Sequence, residues 1–115
     1  MITKETLNRI YSFRESRDWS KFHTPKDLSV AISIESAELL QYFLWNNKNS
    51  DDIKSDSKIL EGIHEEIADI LIYLIYLTKE LDLDMDTILC DKVEKNSAKY
   101  PVSKCKGSCK KYTEL

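Results

Sequence analysis

Residues 57–81 read SKILEGIHEEIADILIYLIYLTKEL, and this stretch decides the fold. Its apolar residues recur every three or four positions, the period of an α-helix. Neither proline nor a glycine pair interrupts it. From Ile70 to Leu77 eight consecutive apolar residues cover the helix on all sides, and a helix of that kind is enclosed by other protein. The run is far shorter than the roughly 20 residues that span a bilayer. One thin bundle of this chain length cannot enclose it, so a second copy is expected to help. The expectation is a homo-oligomer, dimer or tetramer, with this helix in the interface.

The middle of the same stretch holds Glu66-Ile67-Ala68-Asp69. Residues three apart in a helix share a face, so both carboxylates lie on the stripe Ile59, Gly62, Glu66, Asp69, Tyr73, Tyr76. A second stretch repeats the arrangement, with Glu35-Ser36-Ala37-Glu38 on the stripe Leu28, Ala31, Glu35, Glu38, Tyr42, Trp45. In a chain that is 32% charged, one acidic pair usually means a solvated face. Two pairs, each inside a core-like stripe and with no Lys or Arg in residues 28–46 or 59–78, need another explanation. Buried carboxylates are costly without a partner. If the two helices pack antiparallel, four carboxylates converge, which suits Mg2+ or Mn2+. Such a cation keeps positions for phosphate oxygens, and the chemistry that follows is hydrolysis of a phosphoanhydride.

Outward from these helices the reading gives an all-α chain of four helices and a tail. The first spans about Thr3 to Ser16, with Leu7, Ile10, Tyr11 and Arg14 on one face. After the loop Asp18-Trp19-Ser20-Lys21-Phe22-His23, the second starts at Thr24, a good N-cap, with Pro25 at the first helical position, and runs to about Asn46. The polar segment 46–52 reads as a mobile loop. The third helix runs from Asp56 or Ser57 to Leu81. The fourth spans about Asp84 to Lys99 and stops before Tyr100-Pro101, because proline disfavours helix in the residue before it.

Composition narrows the function. The chain has 115 residues, net charge −3, and only two glycines and two prolines, which favours a single helical domain over a turn-rich β fold. No nucleic-acid partner is indicated, and the basic segment Lys104–Lys111 reads as a solvated tail. The opening Met1-Ile2-Thr3-Lys4-Glu5 lacks the apolar region of a secretory signal, so a soluble, cytoplasmic protein with no membrane partner is expected. Three cysteines, an odd number, argue against a disulfide framework.

Other motifs fail. Cys105 and Cys109 form a C-x3-C, but only Cys90, His23 and His64 remain to complete a zinc site. Asp82-x-Asp84-x-Asp86 starts like a calcium loop, yet Thr87 and Val93 stand where it needs glycine and glutamate. His64-Glu65 is not followed by the second histidine of a zinc protease, since Ala68 stands there. Glu61-x-x-His64 is half of a di-iron pattern without its second half.

With its surroundings, Glu35-x-x-Glu38 followed by Glu66-x-x-Asp69 resembles the E-x-x-E and E-x-x-D signature of the MazG-like, all-α nucleoside triphosphate pyrophosphohydrolases. The segment from Asp18-Trp19 through Phe22-His23-Thr24-Pro25 to Leu28 resembles the entry segment of that family's small dCTP pyrophosphatase branch. Phe43-Leu44-Trp45 resembles its aromatic end of the second helix, and Lys92-x-x-x-Asn96-x-x-Lys99-Tyr100-Pro101 its last helix and exit. Nearly the whole chain is covered. Ser36 departs from the further acid or small residue of many relatives, and the cysteine-bearing tail is not diagnostic.

The resemblance implies a four-helix bundle-like, oligomeric subunit, with residues 1–101 as the catalytic domain and 102–115 as a basic tail. It implies Mg2+-dependent cleavage between the α and β phosphates, giving a nucleoside monophosphate and pyrophosphate. The first candidate substrate is dCTP or a modified pyrimidine deoxynucleotide. Glu35, Glu38, Glu66 and Asp69 would be the catalytic metal ligands. Trp19, Trp45 and Tyr73 would form the base pocket by stacking. Lys92, Asn96 and Lys99, on one face of the last helix, would meet phosphate or sugar oxygens; as isolated residues they would read as a solvated face. His23 either contacts the nucleotide or closes its loop. The alternatives are another nucleotide, such as dUTP or phosphoribosyl-ATP, in the same fold, and a non-catalytic helical module that uses metal for assembly.

Overall fold

Long helices with well-formed caps account for most of the chain. The computed structural model describes residues 2–115; Met1, the head of the opening segment, lies outside them. Among the described residues there are six α-helices and no strand. The four long ones are α1 (Lys4–Ser16), α2 (Pro25–Gln41), α4 (Ser57–Glu80) and α5 (Met85–Lys99), and the short ones are α3 (Ser50–Lys54) and α6 (Val102–Cys105). The side chains of Thr3, Thr24, Asp56 and Asp84 accept backbone N–H bonds at the starts of the long helices, satisfying donors that have no partner inside the helix. The chain divides into two compact units, one ending at Leu81 and the other running Asp82–Leu115.

Two boundaries differ from expectation. α2 ends at Gln41 rather than near Asn46. Beyond it the chain tightens into i→i+3 turns, with Phe43 N–H on Leu40 O at 3.0 Å and Leu44 N–H on Gln41 O at 3.2 Å. Asn46 Nδ2 then donates to the carbonyls of Tyr42 and Leu44 at 3.0 and 3.1 Å, serving acceptors that a continuing helix would have used. The expected mobile loop is also shorter, because α3 begins within it. Asn49 and Asp52 exchange side-chain and backbone hydrogen bonds at 3.0 Å each, a capping box that starts a helix in a polar segment.

In the first unit α4 is the central element. Tyr42 lies beside Gly62, and Glu35 meets Glu66, so α2 runs antiparallel to α4. On another side Tyr76 donates its hydroxyl to the Ile10 carbonyl at 2.8 Å and Arg14 meets Glu80 at 2.8 Å, so α1 runs parallel to α4. Arg14, expected on the inner face of α1, is only 3% exposed. Its guanidinium lies 4.7 Å from the centre of the Tyr76 ring. Arg14→Ala should lower unfolding free energy by about 2–3 kcal/mol, below the usual cost of breaking a buried pair because Glu80 stays partly solvated. Urea denaturation measures this, and Glu80→Gln should cost less.

The apolar core is thin. Leu28, Ile63, Ile75 and Tyr76 are its buried apolar residues. The enclosure expected around residues 70–77 is not complete within one chain, because Leu71 and Leu74 remain 47% and 40% exposed. No helix among the described residues is long and apolar enough to cross a membrane.

Candidate active site

The antiparallel packing of α2 on α4 brings Glu35, Glu38 and Glu66 together. Each offers a carboxylate oxygen, and the three atoms lie within 4.8 Å of one another. Oε2 of Glu35 and Oε2 of Glu66 are buried with no hydrogen-bond partner. Burial, with Glu66, Glu38 and Asp69 close by, pushes the Glu35 carboxyl from its ordinary 4.5 up to about 7. Like charges this close cannot all be ionised without a counter-charge, and residues 28–46 and 59–78, which carry them, contain no Lys or Arg. Unpaired buried oxygens in an all-carboxylate set fit a hard divalent cation, with Glu35, Glu38 and Glu66 as the residues that would hold it.

Asp69 does not join this trio, although Glu35 feels its charge. It stands one turn further along α4 and lines a neighbouring cavity. Ser36 is absent from the cluster too, since its hydroxyl donates to the Ile32 carbonyl at 2.7 Å within α2.

The cavity beside Asp69 measures about 490 Å³, ample for a nucleoside. Trp19, His23 and Tyr73, expected from the sequence, line it together with Thr6, Arg9, Ile10 and Phe13 of α1 and Ile72 and Tyr76 of α4. The contribution of α1 is not foreseen in the sequence, which places Ile10 on the inner face of that helix and singles out none of Thr6, Arg9 and Phe13. The available signal was the aromatic Phe13 shortly before Trp19. The two rings meet edge to face at 5.7 Å.

Trp19 reaches the cavity because of how α1 stops. Asp18 takes a left-handed φ of 54°, and the N–H groups of Asp18 and Trp19 bond back to Glu15 O and Arg14 O at 3.0 and 3.1 Å, a Schellman closure with aspartate in the place glycine usually holds. His23 stacks on Tyr76 at 5.2 Å and meets Tyr73 edge-on at 6.3 Å. Burial, then the nearby Arg14 charge, lowers its pKa, with Glu80 opposing. It is therefore neutral near pH 7, and its buried Nδ1 has no partner. Burial and the Glu35, Asp69 and Glu38 charges raise the Tyr73 phenol pKa, so Tyr73 keeps its proton as a donor.

Trp45 is not in this cavity. It is 94% exposed at the end of the turns that follow α2, with a left-handed φ of 61°. Lys92, Asn96 and Lys99 lie exposed on α5 in the second unit. There Lys99 Nζ sits 4.9 Å from the centre of the Tyr112 ring, which packs edge-on against Tyr100.

A smaller opening is lined by Glu38 and Glu66 of the trio together with Gln41 and Tyr42. Gly62 makes room for the Tyr42 ring, because a Cβ there would overlap the phenol. Gly62→Ala would gain up to about 1 kcal/mol of helix propensity while displacing the Tyr42 ring. Stability should therefore change little, and turnover should fall several-fold. Steady-state kinetics beside a melting curve measure both.

Residues 30–115 match the MazG-like family. Mouse dCTP pyrophosphatase 1 is 33% identical over 98% of this chain and 68% of its own length, and the human protein of the same name is 32% identical over the same shares. Among solved structures, a pyrophosphatase from Archaeoglobus fulgidus superposes with a TM-score of 0.77 at 42% identity, covering 85% of this chain and 91% of that one. With this match spanning both acidic helices, the chain belongs to the MazG-like family, and within it to the pyrophosphohydrolase enzymes.

Proposed function

We propose that this protein is a Mg2+-dependent nucleoside triphosphate pyrophosphohydrolase that cleaves between the α and β phosphates, with dCTP or a modified pyrimidine deoxynucleotide as substrate. The observation that carries this reading is the carboxylate trio, with buried, unpartnered oxygens on Glu35 and Glu66 and no Lys or Arg in residues 28–46 or 59–78. The dCTP pyrophosphatases at about one-third identity support the choice of substrate.

A divalent cation, when bound, would neutralise phosphate oxygens and acidify water at the reacting phosphorus. The chain supplies the rest. Glu35, Glu38 and Glu66 hold the cation, and Asp69 completes the acidic set from the cavity side. Trp19 and Tyr73 enclose the base, since aromatic faces stack on nucleobases, while neutral His23 offers a hydrogen-bonding edge without adding charge. Lys92, Asn96 and Lys99 give α5 charged and amide donors of the kind that take phosphate or sugar oxygens. Residues 1–101 form the catalytic domain and 102–115 an appended tail.

The same reading makes the protein a homo-oligomer. Exposed Leu71 and Leu74 on the most apolar helix support this, because single chains rarely leave so much apolar surface on such a helix. Trp45, turned outward, then serves a site near a subunit boundary. Light scattering at micromolar concentration measures the assembly, and a monomer would remove this part of the proposal.

The test of function is a panel of the common nucleoside triphosphates, scored for pyrophosphate and orthophosphate separately, with and without Mg2+. Pyrophosphate from a pyrimidine deoxynucleotide is expected. Orthophosphate as the product, or no turnover of any triphosphate, would overturn it.

A further inference from the structure

The cavity beside Asp69 contains a positive charge to which the proposed chemistry gives no task. Arg9 lines it with Phe13, Trp19, His23 and Tyr73, and among the described residues it forms no ion pair, although Asp69 shares the cavity. Arg9 is exposed and stands on the wall built by α1, whereas the acidic cluster is carried by α2 and α4. Along α4 the cavity runs from Asp69 through Ile72 and Tyr73 to Tyr76, away from Glu66. A nucleotide whose phosphates sit at the carboxylates extends its base along that direction, toward the α1 wall.

A guanidinium donates only, is always charged, and presents a rigid fork that matches two adjacent acceptors. Among pyrimidines, cytosine has such an edge, with N3 and O2 side by side. Uracil and thymine carry an N3–H there, which opposes a donor. We propose that Arg9 is the specificity-determining residue of this site and selects cytosine by pairing with its N3 and O2. This rests on the nucleotide reading above and goes beyond it by naming the residue that reads the base.

The test measures kcat/KM for dCTP, dUTP, dTTP and dGTP with the wild type, Arg9→Ala and Arg9→Lys. It is paired with calorimetric binding of dCMP and dUMP, which needs no turnover. Guanine is included because its N7 and O6 also form an acceptor pair. The wild type should prefer dCTP. In Arg9→Ala the dCTP to dUTP ratio should fall roughly 10- to 100-fold, as expected for loss of one bidentate pair, chiefly through the KM for dCTP. Arg9→Lys, which keeps the charge and loses the fork, should recover little of the ratio. Circular dichroism checks that the variants are folded.

Equal loss for all four nucleotides would make Arg9 a phosphate or structural residue and overturn the proposal, as would an unchanged ratio or a wild-type preference for dGTP. If no triphosphate is cleaved but dCMP binds better than dUMP only when Arg9 is present, the hydrolase reading fails and the role of Arg9 stands.

Discussion

Glu66→Gln should lower kcat about 1,000-fold, the scale on which loss of a centre's charge stabilisation acts, while the protein stays folded. Glu66 contributes one of the two buried carboxylate oxygens without a partner and lies within ligand distance of Glu35 and Glu38. The amide keeps the volume and removes the charge. Relief of acid–acid repulsion should raise the melting temperature of the metal-free variant above that of the metal-free wild type. Activity and stability are thus expected to move in opposite directions, which a residue with a packing role alone would not produce. Glu38→Gln should behave in the same way. Trp19→Ala provides the contrast, because loss of one stacking face costs roughly 1–3 kcal/mol, should appear mainly in KM, and should leave the metal requirement intact.

Removing the metal should abolish activity and make stability depend on pH near neutrality. In the metal-free protein the Glu35 carboxyl sits at about 7, raised from 4.5 by burial and by Glu66, Glu38 and Asp69. The folded state therefore binds this proton more tightly than the unfolded chain does. The stability from this group is complete below 4.5 and is lost as pH rises through about 7. The melting temperature of chelated protein should fall by on the order of 5 °C between roughly pH 6 and 8. His23 does not cause this fall. Its pKa is lowered, so its contribution is present on the alkaline side and declines on acidification. Saturating Mg2+ should flatten the alkaline fall, because the cation replaces the proton, and apparent Mg2+ affinity should rise over the same range. Differential scanning fluorimetry at stepped pH, with chelator or with Mg2+, reads both effects.

The helices and the pairing of the acids were legible because both are periodic. Three-residue spacing places Glu35 with Glu38, and antiparallel packing then sets them against Glu66. What was not legible depended on single side chains that redirect the backbone. Asn46 ends the turns after α2 early, and that leaves Trp45 outside the stripe it shares with Glu35 in a continuous helix. The Asn49 and Asp52 exchange starts α3 in a segment whose polarity suggests a loop, although the N-x-x-D spacing was a usable sign. Asp69 shares a helical face with Glu66, but a helical face is broad enough for one member to meet the acidic cluster while the next opens onto the cavity. Arg9 and Phe13 could be assigned to the cavity only once α1 was known to run parallel to α4.

The most direct measurement is a titration of Mn2+ into metal-free protein, followed by the loss of the free-ion electron paramagnetic resonance signal, for the wild type and for Glu66→Gln. Saturable uptake by the wild type that is lost or greatly weakened in Glu66→Gln is the predicted result. Equal uptake by both proteins, or none by the wild type, would contradict a metal centre built from Glu35, Glu38 and Glu66.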